Sequence, residues 1–83
     1  MYRVDPSHPG VVEQIKALPV EALLGYAETL GVMELDPWAE SPWRGDNPDG
    51  NIRTLPFGAA GMVTYLILKR DREVHVLEVQ WVG

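Results

Sequence analysis

The sequence of 83 residues contains no cysteine, two histidines and one phenylalanine, and each shortage closes off a class of chemistry. Without cysteine there are no disulfides, thiolate metal sites or cysteine nucleophiles, and His8 and His75 are the whole stock of nitrogen ligands, so no metal or other cofactor is expected. No stretch approaches the roughly 18 consecutive apolar residues that span a bilayer, and Met1-Tyr2-Arg3-Val4-Asp5-Pro6 has no apolar signal core. These features point to a cytoplasmic protein with no membrane partner. Positive charge is also scarce. A net charge of −5 argues against general nucleic-acid binding, whose affinity comes from Lys and Arg neutralising phosphates.

What is present suits a single domain over residues 1–83. A chain of this size has room for one core, and a domain so small buries only about 60% of its unfolded surface. Its 46% hydrophobic and 23% charged content is ordinary for a folded protein. The charge is uneven: residues 1–50 carry nine acids and three bases, whereas residues 51–83 carry Arg53, Lys69, Arg70 and Arg72 against three acids.

Tyr2-Arg3-Val4 is a strand candidate, stopped by Asp5-Pro6 because proline lacks an N–H and restrains its predecessor. Ser7 stands where an N-cap belongs, and Val11, Val12, Ile15 and Leu18 recur at helical spacing, which predicts a helix over 8–18. Pro19 breaks that helix and begins a second, whose apolar stripe is Val20, Leu23, Leu24, Ala27 and Leu30 and which fades near Glu34 before Asp36-Pro37. Together they form an αα-hairpin. Residues 36–50 read as a long loop with the pairs Pro37-Trp38 and Pro42-Trp43, closed by a type I turn at Asn47-Pro48-Asp49-Gly50.

Three strands are expected next, at 51–57, 61–69 and 73–82, joined by short turns into an antiparallel meander. The middle strand is apolar on both parities, as for a central strand covered on both faces or nearly so. A loop over Ala59-Ala60 sets Phe57 opposite Met62, and one over Asp71-Arg72 sets Arg70 opposite Glu73. That register gathers Leu55, Phe57, Met62, Thr64, Leu66, Leu68, Leu77, Val79 and Trp81 on the helix-facing side, with Arg53 and His75 toward one end. It leaves Tyr65 opposite Glu78 on the open side. A one-residue bulge in either hairpin would reassign the flanking strand.

The order of strand, αα-hairpin, proline-rich loop and meander, with Asn51-Ile52-Arg53-Thr54-Leu55-Pro56-Phe57-Gly58, Gly61-Met62-Val63-Thr64-Tyr65-Leu66-Ile67-Leu68 and Val74-His75-Val76-Leu77-Glu78-Val79, resembles the RelE/ParE toxin superfamily. The resemblance implies an α+β fold of β-α-α-β-β-β order, an antitoxin partner that wraps the surface and, in the RelE branch, metal-free endoribonuclease cleavage of mRNA on the ribosome. Such cleavage needs an acid or base near the ribose 2′-OH and cations around the phosphate. By resemblance Arg53 occupies the position of a basic residue in the second strand. Where the family often carries a catalytic arginine, three residues before the mid-strand tyrosine, this chain has Met62, and in place of a basic tail it has Trp81-Val82-Gly83.

The catalytic candidates are therefore Arg53 as phosphate ligand, Tyr65 as stacking group or proton donor, and His75 as general base. Each has a structural alternative: an ion-paired arginine, a packed strand aromatic and a structural histidine. Trp38, Trp43 and Glu78 are candidate partner contacts, the tryptophans otherwise serving as loop anchors. Two functions follow. One is a toxin of a type II toxin–antitoxin pair that inhibits translation by cutting mRNA. The other is a non-catalytic protein-binding module on the same fold. The residues do not choose between RNA and the gyrase target of the ParE branch.

Overall fold

The computed structural model describes residues 1–5, 8–39, 41–42 and 50–82, the side chains of residues 39, 41 and 42 excepted. The chain runs β1 (Arg3–Asp5), α1 (Pro9–Lys16), α2 (Val20–Leu35), a 3-10 turn (Pro37–Ala39), β2 (Ser41–Pro42), β3 (Ile52–Phe57), β4 (Gly61–Leu68) and β5 (Glu73–Trp81). The five strands form one sheet in the order β1-β5-β4-β3-β2. The expected element order is present, with one short strand added inside the proline-rich segment. The meander is antiparallel, and β1 lies parallel to β5 along its outer edge. Among the described residues no helix is long and apolar enough to cross a membrane.

Both helices cover one face of the sheet, α1 over β5 and α2 over β3. The cap of α1 differs from expectation. Ser7 lies outside the described residues, and the His8 ring nitrogen Nδ1 accepts the Gly10 N–H at 3.2 Å. A nitrogen that accepts carries no proton, so in this arrangement His8 is held as the Nε2–H tautomer.

The α2 stripe is corrected. The buried line is Ala22, Tyr26, Thr29 and Met33, whereas Val20 is 82% exposed and Leu24 70%. Close approach selects that side. A Cβ placed on Gly25 would come within 3.2 Å of the Gly58 backbone nitrogen, so α2 meets the β3–β4 turn at its small residues. Tyr26 and Met33 then fill the space on either side.

Hairpin register is corrected as well. Phe57 pairs with Gly61 across the turn Gly58-Ala59-Ala60, one residue away from the expected partner Met62, and Gly58 supplies its positive φ of 59°. The Phe57 ring lies over Gly61, where a Cβ would stand 2.5 Å from it. In the second hairpin Leu68 pairs with Glu73, and Arg72 takes a φ of 52° within the turn. A bulge at Thr64/Tyr65 then leaves Leu77 as an extra residue: Tyr65 faces Val76, while Thr64 faces Glu78. Because side chains alternate, the one-residue slip reverses the middle strand. Val63, Tyr65 and Ile67 point into the core, and Met62, Thr64, Leu66 and Leu68 do not. β4 is central, as expected, and its outward face is covered only in part: Thr64, Leu66 and Leu68 are partly buried and Met62 is exposed.

Leu55, Phe57, Val63, Tyr65, Ile67, Val74, Val76 and Val79 form the core with Val11, Leu18, Ala22, Tyr26 and Met33. Trp81 anchors there as expected, stacked on Phe57 at 5.9 Å between ring centroids, with Tyr26 edge-on to the same ring at 5.8 Å. The Tyr26 hydroxyl is buried without a hydrogen-bond partner among the described residues, and burial raises its pKa.

Candidate functional site

Arg53 and Tyr65 are direct cross-strand partners on β3 and β4, both facing inward at the end of the sheet where β3 begins. Tyr65 is fully buried, and its O–H donates to the Pro37 carbonyl at 2.7 Å. Arg53 is 7% exposed. Its Nε–H donates to the Gly50 carbonyl at 2.8 Å, an Nη1–H reaches the Trp38 carbonyl at 3.4 Å, and the guanidinium lies 5.2 Å from the Trp38 ring centroid. The pair thus clasps the 3-10 turn: Arg53 lies on the helix-facing side toward one end, as expected, whereas Tyr65 departs from its expected place on the open face and His75 from its expected place on the helix-facing one. A buried donor left without its acceptor costs far more than its bond contributes in net stability, which explains why each of these groups is met by a backbone carbonyl.

Beside the clasp opens a cleft of about 540 Å³ lined by Tyr2, Trp38, Arg53 and Lys69. The Trp38 indole N–H donates to the Tyr2 hydroxyl oxygen at 2.9 Å, and the Tyr2 backbone N–H is held by the Glu34 carbonyl at the end of α2. Trp38, a candidate partner contact, is therefore a wall of this cleft. Trp43 lies outside the described residues.

His75 is not part of this cluster. It stands on the outward face of β5, opposite Leu66, with its side chain 38% exposed. Its Nε2 is 3.4 Å from Glu73 Oε1, and Glu73 also binds Arg3. A carboxylate only accepts, so it is His75 Nε2 that donates in this contact. The hydrogen bond from Arg3, and then that from His75, holds the Glu73 carboxyl below its ordinary pKa. His75 lines a second hollow of about 330 Å³ with Asp5, His8, Val76 and Leu77. Glu78 is exposed opposite Thr64, and Tyr65 faces Val76, contrary to the expected pair. No group of three His, Asp or Glu among the described residues is arranged to hold a metal ion.

A third feature went unread in the sequence. Successive helix residues advance by about 100°, which puts Val20, Leu24, Ala27, Gly31 and Leu35 in one line along α2, opposite the buried one. Val20, Leu24 and Leu35 are 82%, 70% and 75% exposed, and a Cβ on Gly31 would meet no atom within 4 Å. Glu21 and Glu28 border the line on one side and Glu34 on the other. A helix that is apolar on both sides belongs between two layers, and among the described residues nothing covers this outer line.

The sheet order, the helices on one face and the parallel edge strand define an α+β fold of the RelE type. The structure superposes on a chain of the archaeal RelE–RelB complex from Pyrococcus horikoshii OT3 with a TM-score of 0.64, covering 99% of this chain and 96% of that one at 18% identity. No family model matches the sequence, and no curated protein is significantly similar to it.

Proposed function

We propose that this chain is the toxin-type half of a toxin–antitoxin pair, and that it works by binding a partner protein along the outer face of α2. The observation that carries this reading is the line Val20-Leu24-Ala27-Gly31-Leu35, apolar and exposed yet bordered by three glutamates. A second copy of the chain would bring like charges together there. An amphipathic partner segment with Lys and Arg beside its apolar stripe satisfies both the apolar line and its acidic border. The whole-chain likeness in fold to a protein crystallised as a RelE–RelB complex supports a protein partner. The test is expression alone and together with the product of the adjacent gene. Growth arrest that the second protein relieves, with co-purification lost in a Leu24→Lys/Leu35→Lys variant, is the expected result. Normal growth in both cases, or co-purification indifferent to those changes, would sink the reading.

Inhibition of translation by mRNA cleavage is a second reading, favoured by one observation: His75 is accessible, with its Nε2 directed to the Glu73 carboxylate. That arrangement suits a base that takes the 2′-OH proton. Arg53 and Tyr65 serve this chemistry only if the turn they clasp is released. On this reading His75→Ala lowers ribosome-dependent RNA cleavage by about 100-fold or more while leaving partner binding intact. Cleavage unchanged in that variant removes the catalytic role of His75.

A further inference from the structure

Five of the seven lysines and arginines, namely Arg3, Arg53, Lys69, Arg70 and Arg72, gather at the end of the sheet where β1, β3 and β5 begin and β4 finishes. In a chain of net charge −5 this concentrates the bases in one place, and the Tyr2–Trp38–Arg53–Lys69 cleft opens there, with Glu34 and Asp36 at the end of α2 beside it. The acids nearest in the hairpin offset it only partly: Glu73 is taken by Arg3, and Asp71 sits between Arg70 and Arg72.

The lining of the cleft is selective by its chemistry. The Lys69 ammonium has no ion pair among the described residues and donates only. The Tyr2 oxygen already accepts the Trp38 N–H, which leaves its own O–H as a donor with no acceptor among the described residues. Arg53 adds a positive wall from below, held in place by carbonyls and by the indole ring. Two donors, the Lys69 ammonium and the Tyr2 hydroxyl, beside aromatic rings match an oxyanion attached to a planar group. The volume lies within the usual range for small-molecule clefts.

We infer that this cleft binds a nucleoside phosphate, its phosphate on Lys69 and the Tyr2 hydroxyl and its base against Trp38. The site uses none of the residues in the outer line of α2, so it stands or falls apart from the partner-binding reading. It differs too from the His75 hollow on the opposite face.

The test is titration of the full chain with AMP, adenosine and inorganic phosphate at low salt, followed by calorimetry or amide chemical shifts. AMP is expected to bind saturably, with adenosine and phosphate each weaker by about tenfold or more. Lys69→Glu weakens AMP by about tenfold or more and Tyr2→Phe by a smaller factor, whereas Lys16→Glu on α1 changes nothing. Thermal melts of the variants confirm that each still folds, and Lys69, being exposed, tolerates the change. AMP no tighter than adenosine or than phosphate, or Lys69→Glu indistinguishable from Lys16→Glu, overturns the inference. A 5′-phosphorylated tetranucleotide distinguishes the source: binding equal to AMP supports the terminus of an RNA, and exclusion supports a free nucleotide.

Discussion

The outer face of α2 and the basic end of the sheet are both open to solvent, yet they are built on opposite plans. The helix face is apolar, bordered by Glu21, Glu28 and Glu34, and its side chains touch little of the protein; at the sheet end, charged and aromatic groups are held by hydrogen bonds to Gly50, Pro37 and Trp38. A surface of the first kind gains free energy by being covered, because apolar area leaves water. One of the second kind gains little from burial and much from an acceptor of the right charge. Two accessible regions of one small domain are thus suited to different occupants, a protein segment and a small anion.

The difference can be broken experimentally from either side. The largest effect is expected at the clasp: Tyr65→Ala removes a fully buried ring and its bond to Pro37, at a cost of about 3–5 kcal/mol in denaturant unfolding. If that variant melted like the parent, the basic end would not rest on the clasp. Next comes Leu24→Lys/Leu35→Lys, which is expected to weaken partner binding by about 2 kcal/mol or more. The same change should move stability by only about 0.5 kcal/mol, since both side chains are exposed. A large loss of stability there would mean that the face is internal support and not a docking surface.

Smaller effects sharpen the contrast. Tyr26→Phe deletes a buried hydroxyl that has no partner among the described residues, so stability should hold or rise by up to about 1 kcal/mol. A marked fall would reveal a partner for that oxygen. The smallest effect concerns Glu73, whose pKa is lowered in the folded state by Arg3 first and His75 second. A depressed carboxyl stabilises the fold above its unfolded pKa, and this contribution fades as pH falls through the folded value. In the Arg3→Ala variant the acid-side decline of the melting temperature should therefore be smaller and end at higher pH, its onset, set by the unfolded carboxyl, being unchanged.

The sequence displayed the order of elements because each is marked locally. Pro19 divides the helices, Gly58 and Gly61 bound the first turn, and β-branched runs mark β4 and β5. Which side each element presents was not legible, because that depends on contacts distant in the chain. The Val20, Leu23 and Leu24 stripe looks like core until α2 is seen to approach Gly58 through Gly25. In the same way a one-residue shift at Phe57–Gly61 turns Tyr65 from an open-face donor into a buried strut. Arg53 was found as an important residue, but its role in holding Trp38 needed the fold. Tyr2 and Lys69 belong to separate segments, at opposite ends of the chain's first and fourth strands, and no spacing rule links them.

The pairing of β1 with β5 has a consequence in time. Arg3 meets Glu73 across most of the chain, and β5 lies between β1 and β4, so the sheet has a gap until its last strand is in place. During synthesis the helical hairpin leaves the ribosome first and has no completed sheet to rest on. Contacts this distant in sequence slow folding, since the intervening chain must be closed before they form. A nascent chain of this design stays unfinished, with its basic cleft unassembled, until β5 has emerged.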